Sequence, residues 1–141
     1  MRRWRTSGPA ATEALGRELA PELLPEGTLL LEGELGAGKT VLARGVAAGL
    51  GVDPAEVQSP TFTIVRQHAG SGGTSLVHVD LYRLAPEDVE AIALEELLAG
   101  PGVKVVEWPE RLPFAPERSL RLRLEAVGDE EREIRELGPA G

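Results

Sequence analysis

Gly33, Gly38, Lys39 and Thr40 give the stretch Gly33-Glu34-Leu35-Gly36-Ala37-Gly38-Lys39-Thr40 the spacing G-x-x-x-x-G-K-[ST]. Residues of these types at this spacing do phosphate chemistry. The glycines let the backbone turn sharply and aim successive N–H groups into one concavity. A helix that starts there adds the positive end of its dipole. Lys39 then reaches the β- and γ-phosphates of a nucleotide, and the Thr40 hydroxyl ligates Mg²⁺. Glu34, Leu35, Gly36, Ala37, Gly38, Lys39, Thr40 and Val41 are the expected nucleotide-contacting set. Val41 stands where many such loops carry a second hydroxyl, so it packs beneath the helix and offers only its N–H.

A phosphate loop by itself does not hydrolyse anything. It needs an acid that orders a metal and a group that handles water. Asp80 follows the apolar run "LVHV" and Glu107 follows "VKVV". Ligands of open α/β sheets bind at the carboxyl ends of the strands, so both acids are placed to face one crevice. Asp80 is expected to hold Mg²⁺, through a water, and Glu107 to orient or deprotonate the attacking water. Both join Thr40 in the expected metal environment, and Lys39, Asp80, Glu107 and Thr61 form the expected catalytic set. "SPTFT", Ser59 to Thr63, places Pro60 just before a strand and leaves the Ser59 and Thr61 hydroxyls available. Thr61 then has two readings: a switch hydroxyl that senses Mg²⁺ and the γ-phosphate, or a turn residue bonding its own backbone. Trp108 reads as a packing group. His78, alternating with Val77 and Val79, reads as a structural histidine, and His68 as a solvated one. Arg83 either pairs with an acid or reaches phosphate.

The elements that must position these groups are legible in outline. "RRWRTS" reads as a first strand, and Gly8-Pro9 opens a helix with Leu15, Leu19, Leu23 and Leu24 on one face. Thr28 to Leu31 is a short buried strand, and Lys39 to Leu50 is a helix with Leu42, Val46 and Leu50 at helical spacing. Thr61–His68 and Ser75–Tyr82 flank a glycine-rich turn and read as a hairpin. Pro86 to Leu98 reads as a helix stopped by Gly100-Pro101-Gly102, and Val103 to Glu107 as a buried strand. "SLRLRLEAV" and "EREIREL" form a charged hairpin, expected to guard the edge of the sheet. Strands alternating with helices predict an α/β fold of the P-loop NTPase kind, a mostly parallel sheet flanked by helices, with antiparallel hairpin strands. With 141 residues, no repeats and no linker, the whole of 1–141 is expected to be a single domain.

Composition excludes several functions. The chain has no cysteine, which removes disulfides, zinc fingers and thiol catalysis. Its net charge of −8 argues against gripping nucleic acid unaided, because duplex binding rests on cation–phosphate contacts. No apolar run reaches the roughly 18–20 residues that span a bilayer, and no signal peptide is visible. A cytoplasmic protein without membrane contact is expected. The chain also has no asparagine, so the N-K-x-D motif that reads guanine is missing.

"GELGAGKT", "SPTFTIV", "HVDLYRL" and "VEWPER", in that order, resemble the TsaE (YjeE) family of small bacterial P-loop ATPases. The likeness runs from about Thr12 to Arg111, and "TEALGRELA" is similar to that family's first helix. The resemblance implies binding and slow hydrolysis of ATP to ADP with Mg²⁺, in the making of threonylcarbamoyladenosine next to the tRNA anticodon. It implies TsaD and TsaB as partners and contact with tRNA only through that complex. Matched to the family motifs, Lys39 and Thr40 fall in the loop, Thr61 is the switch-like threonine, Asp80 the acid of "DLYR", and Glu107 with Trp108 the "EW" pair. Val41 departs from the family's usual threonine. The alternative is a small-molecule kinase on the same fold, which calls for an acceptor pocket and an Arg-rich lid. A GTPase switch and a P-loop without activity are the remaining readings.

Overall fold

A computed structural model describes residues 1–57, 65–82, 91–116 and 118–138. Ten regular elements follow in chain order: β1 (Arg3–Ser7), α1 (Pro9–Leu23), β2 (Thr28–Glu32), α2 (Lys39–Gly49), β3 (Val65–Ala69), β4 (Ser75–Asp80), α3 (Ala91–Ala99), β5 (Val103–Glu107), β6 (Ser119–Ala126) and β7 (Glu131–Leu137). They build one seven-stranded sheet in the order β1-β7-β6-β2-β5-β4-β3. The four central strands, β6, β2, β5 and β4, run parallel, while β1, β7 and β3 pair antiparallel at the flanks. The fold is α/β with a mostly parallel core.

Central parallel strands need cover on both faces, and the sequence supplies it by parity. Leu29 and Leu31 of β2, Val103 and Val105 of β5, and Leu122 and Leu124 of β6 belong to the core under α1 and α2. Leu30, Val77, Val79 and Val106 belong to the opposite core, with Leu94 and Leu98 of α3. Beyond α3 the second face carries ion pairs such as Arg121–Glu32 at 2.7 Å and Arg135–Glu125 at 3.4 Å. Such partly exposed pairs contribute little stability but keep that face wetted.

The β6–β7 hairpin is not the edge that the sequence suggested. β1 pairs with β7 along its whole length, Arg3 opposite Arg135 through Ser7 opposite Glu131. A charged strand is as compatible with an interior position as with an edge when its neighbour supplies the backbone partners, which local sequence does not reveal. Thr61 to Ile64 of the expected hairpin, Arg83, and Pro86 to Glu90 of the expected third helix lie outside the described residues. Among the described residues no helix is long and apolar enough to cross a membrane.

Two packing devices hold the frame. First, α1 and α2 approach backbone to backbone. A Cβ on Gly16 would lie 2.9 Å from the Gly45 Cα, and a Cβ on Gly45 would overlap the Glu13 carbonyl. Second, Lys104 is almost fully buried on β5. Its ammonium donates to the Glu26 carbonyl at 2.7 Å and the Gly100 carbonyl at 2.6 Å, tying the turn before β2 to the end of α3. Burial lowers its pKa from the ordinary 10.5, against the raising effect of Glu26.

Two outcomes are expected. Gly45→Ala forces α1 and α2 apart and lowers the unfolding free energy by about 2–3 kcal/mol, measured by urea denaturation. For Lys104 the native pKa lies below the unfolded one, so between the two values the unfolded chain holds more protons. Stability therefore rises with pH in that window. Relative to Lys104→Met, the wild type gains stability as pH rises towards the ordinary lysine value of 10.5. A difference that does not change with pH would contradict this.

Candidate functional site

The site forms where β2, β4 and β5 end together. β2 delivers the chain into residues 33–38 and then directly into α2. Gly36 and Gly38 have φ of 79° and 101°, conformations that a side chain disfavours, and they fold the loop back over the sheet end. Gly38 caps α2 without a side-chain hydrogen bond, so the first-turn amides keep the electropositive helix end available.

Lys39 opens α2 and is only 5% exposed. Its ammonium turns back onto the loop, donating to the Gly33 carbonyl and, at 3.4 Å, to the Glu34 carbonyl. The Trp108 ring covers the same nitrogen, with the ring centroid 3.7 Å away. Among the described residues no carboxylate lies within ion-pair distance of it. Burial lowers the Lys39 pKa, while Glu107, Glu110, Asp80 and Glu34 act in the opposite direction. A desolvated cation satisfied by carbonyls and an aromatic face is a fitting receptor for an incoming anion.

Glu107 ends β5 and is 2% exposed. It lies beside the loop because the register of β2 against β5 sets Leu31 opposite Glu107. The Thr40 hydroxyl, one residue into α2, donates to its carboxylate at 3.0 Å from Oε1 and 3.2 Å from Oε2. From the other side, His78 Nε2 lies 2.6 Å from Oε2. Asp80 ends β4 opposite Glu107 in the parallel register. Its Oδ1 accepts from the Tyr82 amide at 3.0 Å. Lys39, Thr40, Asp80 and Glu107 thus come together as the sequence suggests, whereas Thr61 lies outside the described residues.

Trp108 does more than pack. It has φ 61° and ψ 50°, a left-handed conformation that is costly for a bulky residue, by about 1–2 kcal/mol. That turn sets its ring on Lys39 and 5.0 Å from the Tyr82 ring, with the Arg111 guanidinium 5.8 Å from it.

A cavity of about 470 Å³ joins these groups to a second wall. Gly8, Pro9 and Thr12 from the start of α1, and Asp129, Glu130 and Arg132 from the β6–β7 turn, line it opposite Lys39, Thr40, Val41, Asp80 and Glu107. The wall is tied together by backbone, Gly8 N donating to the Glu130 carbonyl at 2.9 Å. Arg132 ties it to the loop, donating to the Gly36 carbonyl at 3.1 Å. Sequence reasoning did not find these residues. Each is ordinary in its local context, and the wall adjoins the loop only because β7 and β1 pair at the far side of the sheet.

Among the described residues no three His, Asp or Glu side chains converge into an all-protein metal cage. Thr40 with Glu107 and Asp80 offers a sparser set of oxygens, the kind that suits Mg²⁺ shared with phosphates and waters.

Comparison with known proteins supplies the family. Residues 6–134 match the family model described as threonylcarbamoyl adenosine biosynthesis protein TsaE. A relative in Bacillus subtilis, a tRNA threonylcarbamoyladenosine biosynthesis protein TsaE, is 41% identical over 133 residues, which cover 94% of this chain and 82% of the relative. A protein of the same description in Streptomyces coelicolor is 47% identical, over 90% of this chain and 88% of its own. The crystal structure of Bacillus subtilis YdiB aligns with a TM-score of 0.72 at 36% identity, over 94% of this chain and 82% of that one. With four central strands, a phosphate-type loop and a family match running through nearly all of them, the chain belongs to the TsaE family of threonylcarbamoyl adenosine biosynthesis proteins.

Proposed function

We propose that the chain is a Mg²⁺-dependent ATPase that serves tRNA threonylcarbamoyladenosine biosynthesis as an accessory subunit of a TsaD–TsaB transferase complex. The observation that carries this reading is the buried bond from Thr40 to Glu107 beside Lys39. A hydroxyl on the first turn after a phosphate loop, joined to a carboxylate at the end of a neighbouring strand, is the arrangement with which P-loop enzymes hold their metal. The biosynthetic role is supported by the family match and by the printed function of the relatives.

The residues divide the work as follows. Lys39 exchanges its two loop carbonyls for phosphate oxygens, and the amides from Glu34 to Val41 surround the phosphates. Thr40 and Glu107 hold Mg²⁺, which when bound neutralises developing charge on the phosphates. Glu107 thus combines its expected share of the ion with its expected hold on water, and its carboxylate already bonds the Thr40 hydroxyl. Asp80, on the adjacent strand, orders water at the same centre. The wall of Gly8, Pro9, Thr12, Asp129 and Glu130, which lines the same cavity, receives the ribose and base. Cytoplasmic location and contact with tRNA through the partners follow from the same reading.

Glu107→Gln is expected to lower ATP turnover at least about 100-fold while leaving ADP affinity within a fewfold of wild type, since the carboxylate acts on the reacting centre. Lys39→Ala is expected to lose nucleotide affinity itself, read by titration calorimetry. The isolated chain should turn ATP over slowly and accelerate when TsaB and TsaD homologues are added. Equal rates with and without them would remove the accessory role.

A further inference from the structure

His78 is fully buried, and its ring lies in the core. Its Nε2 approaches Glu107 Oε2 to 2.6 Å. A carboxylate only accepts, so the imidazole donates from Nε2. Among the described residues Nδ1 has no hydrogen-bond partner. An orphaned buried polar atom costs about 1–3 kcal/mol. A leucine would fill the same volume without that cost, so packing does not account for a histidine at this position.

The geometry at Glu107 does. Thr40 approaches both carboxylate oxygens, at 3.0 and 3.2 Å, yet its hydroxyl has a single proton. Thr40 alone therefore leaves the carboxylate able to swing between two equivalent poses. The parallel register sets His78 opposite Val105 and Asp80 opposite Glu107, so the bond from His78 crosses diagonally from β4 to the end of β5. It engages Oε2 alone and leaves Oε1 to Thr40. Resting on the ATPase reading above, we propose that His78 is a positioning residue that pins Oε2 of Glu107 and so presents Oε1, together with Thr40, to Mg²⁺. It touches neither nucleotide nor ion and acts through the carboxylate. Buried groups that hold a metal ligand from behind commonly alter metal affinity or activity about 10–100-fold when replaced.

The test uses the full chain with TsaB and TsaD present, measuring ATP turnover as a function of Mg²⁺ at saturating ATP. His78→Leu removes the donor at similar volume, and His78→Gln restores an N–H at similar reach. The expected result for His78→Leu is a kcat about 10-fold lower and a severalfold higher Mg²⁺ requirement, with ADP affinity and thermal unfolding close to wild type. His78→Gln is expected to recover part of both. A folded His78→Leu with wild-type kcat and Mg²⁺ dependence overturns the proposal, as does a folded His78→Gln no better than His78→Leu. His78→Met provides a second apolar replacement; if both apolar variants fail to fold, the histidine serves folding and the positioning role is rejected. Glu107→Gln, run alongside, separates the two levels of inference. If it too hydrolyses ATP normally, the ATPase reading of the site fails. If it is slow while His78→Leu is normal, only the role of His78 fails.

Discussion

A carboxylate buried to 2% exposure at the end of a central strand is the constraint around which this molecule is arranged. Left alone, the Glu107 charge would cost several kcal/mol in the core. It is tolerated because three neighbours answer it. The Thr40 hydroxyl and the His78 imidazole donate to it, and Lys39 stands near enough to raise no ion pair yet feel its field. The neighbours arrive on two elements, Thr40 and Lys39 on α2 and His78 on β4. Compensating one charge therefore fixes the relative placement of all the strand ends that make the site.

The same balance leaves Lys39 in a poised state. Its ammonium is removed from water, held by carbonyls and an indole face, and its pKa is lowered by that burial. Carbonyls and π-faces are weaker partners for a cation than an anion is, so phosphate can displace them. Trp108 adopts a left-handed backbone where it makes this contact. The close crossing of α1 on α2, made possible by Gly16 and Gly45, then brings the start of α1 to the mouth of the same cavity. Packing far from the loop thereby shapes another wall of the same cavity.

How much of this is visible in the chain alone varies with the range of the interaction concerned. The glycine-rich loop, its helix and the buried strands were readable because each depends on neighbours within a few residues. Glycine positions, apolar runs and a Lys-Thr pair carry their own physics. Asp80 and Glu107 were also legible, since an acid directly after an apolar strand must emerge at a strand end. Their division of labour was not: which acid meets Thr40 depends on strand order, and β5 rather than β4 lies next to β2. His78 illustrates the same limit, because its value rests on a diagonal across two strands separated in sequence by α3. The misread edge of the sheet arose likewise, since β1 closes against β7 from the opposite end of the chain.

Sequence by itself determined a glycine-rich loop with the G-x-x-x-x-G-K-[ST] spacing, a Lys-Thr pair at a helix start and two carboxylates at strand ends, on an α/β frame. These follow from the bonding capacities and backbone freedom of individual residues. Tertiary structure alone decided which carboxylate the hydroxyl engages, which histidine stands behind it, and which distant turn closes the cavity. Those are properties of strand order and register, and a single chain of letters does not contain them until its buried charges have been compelled to find partners.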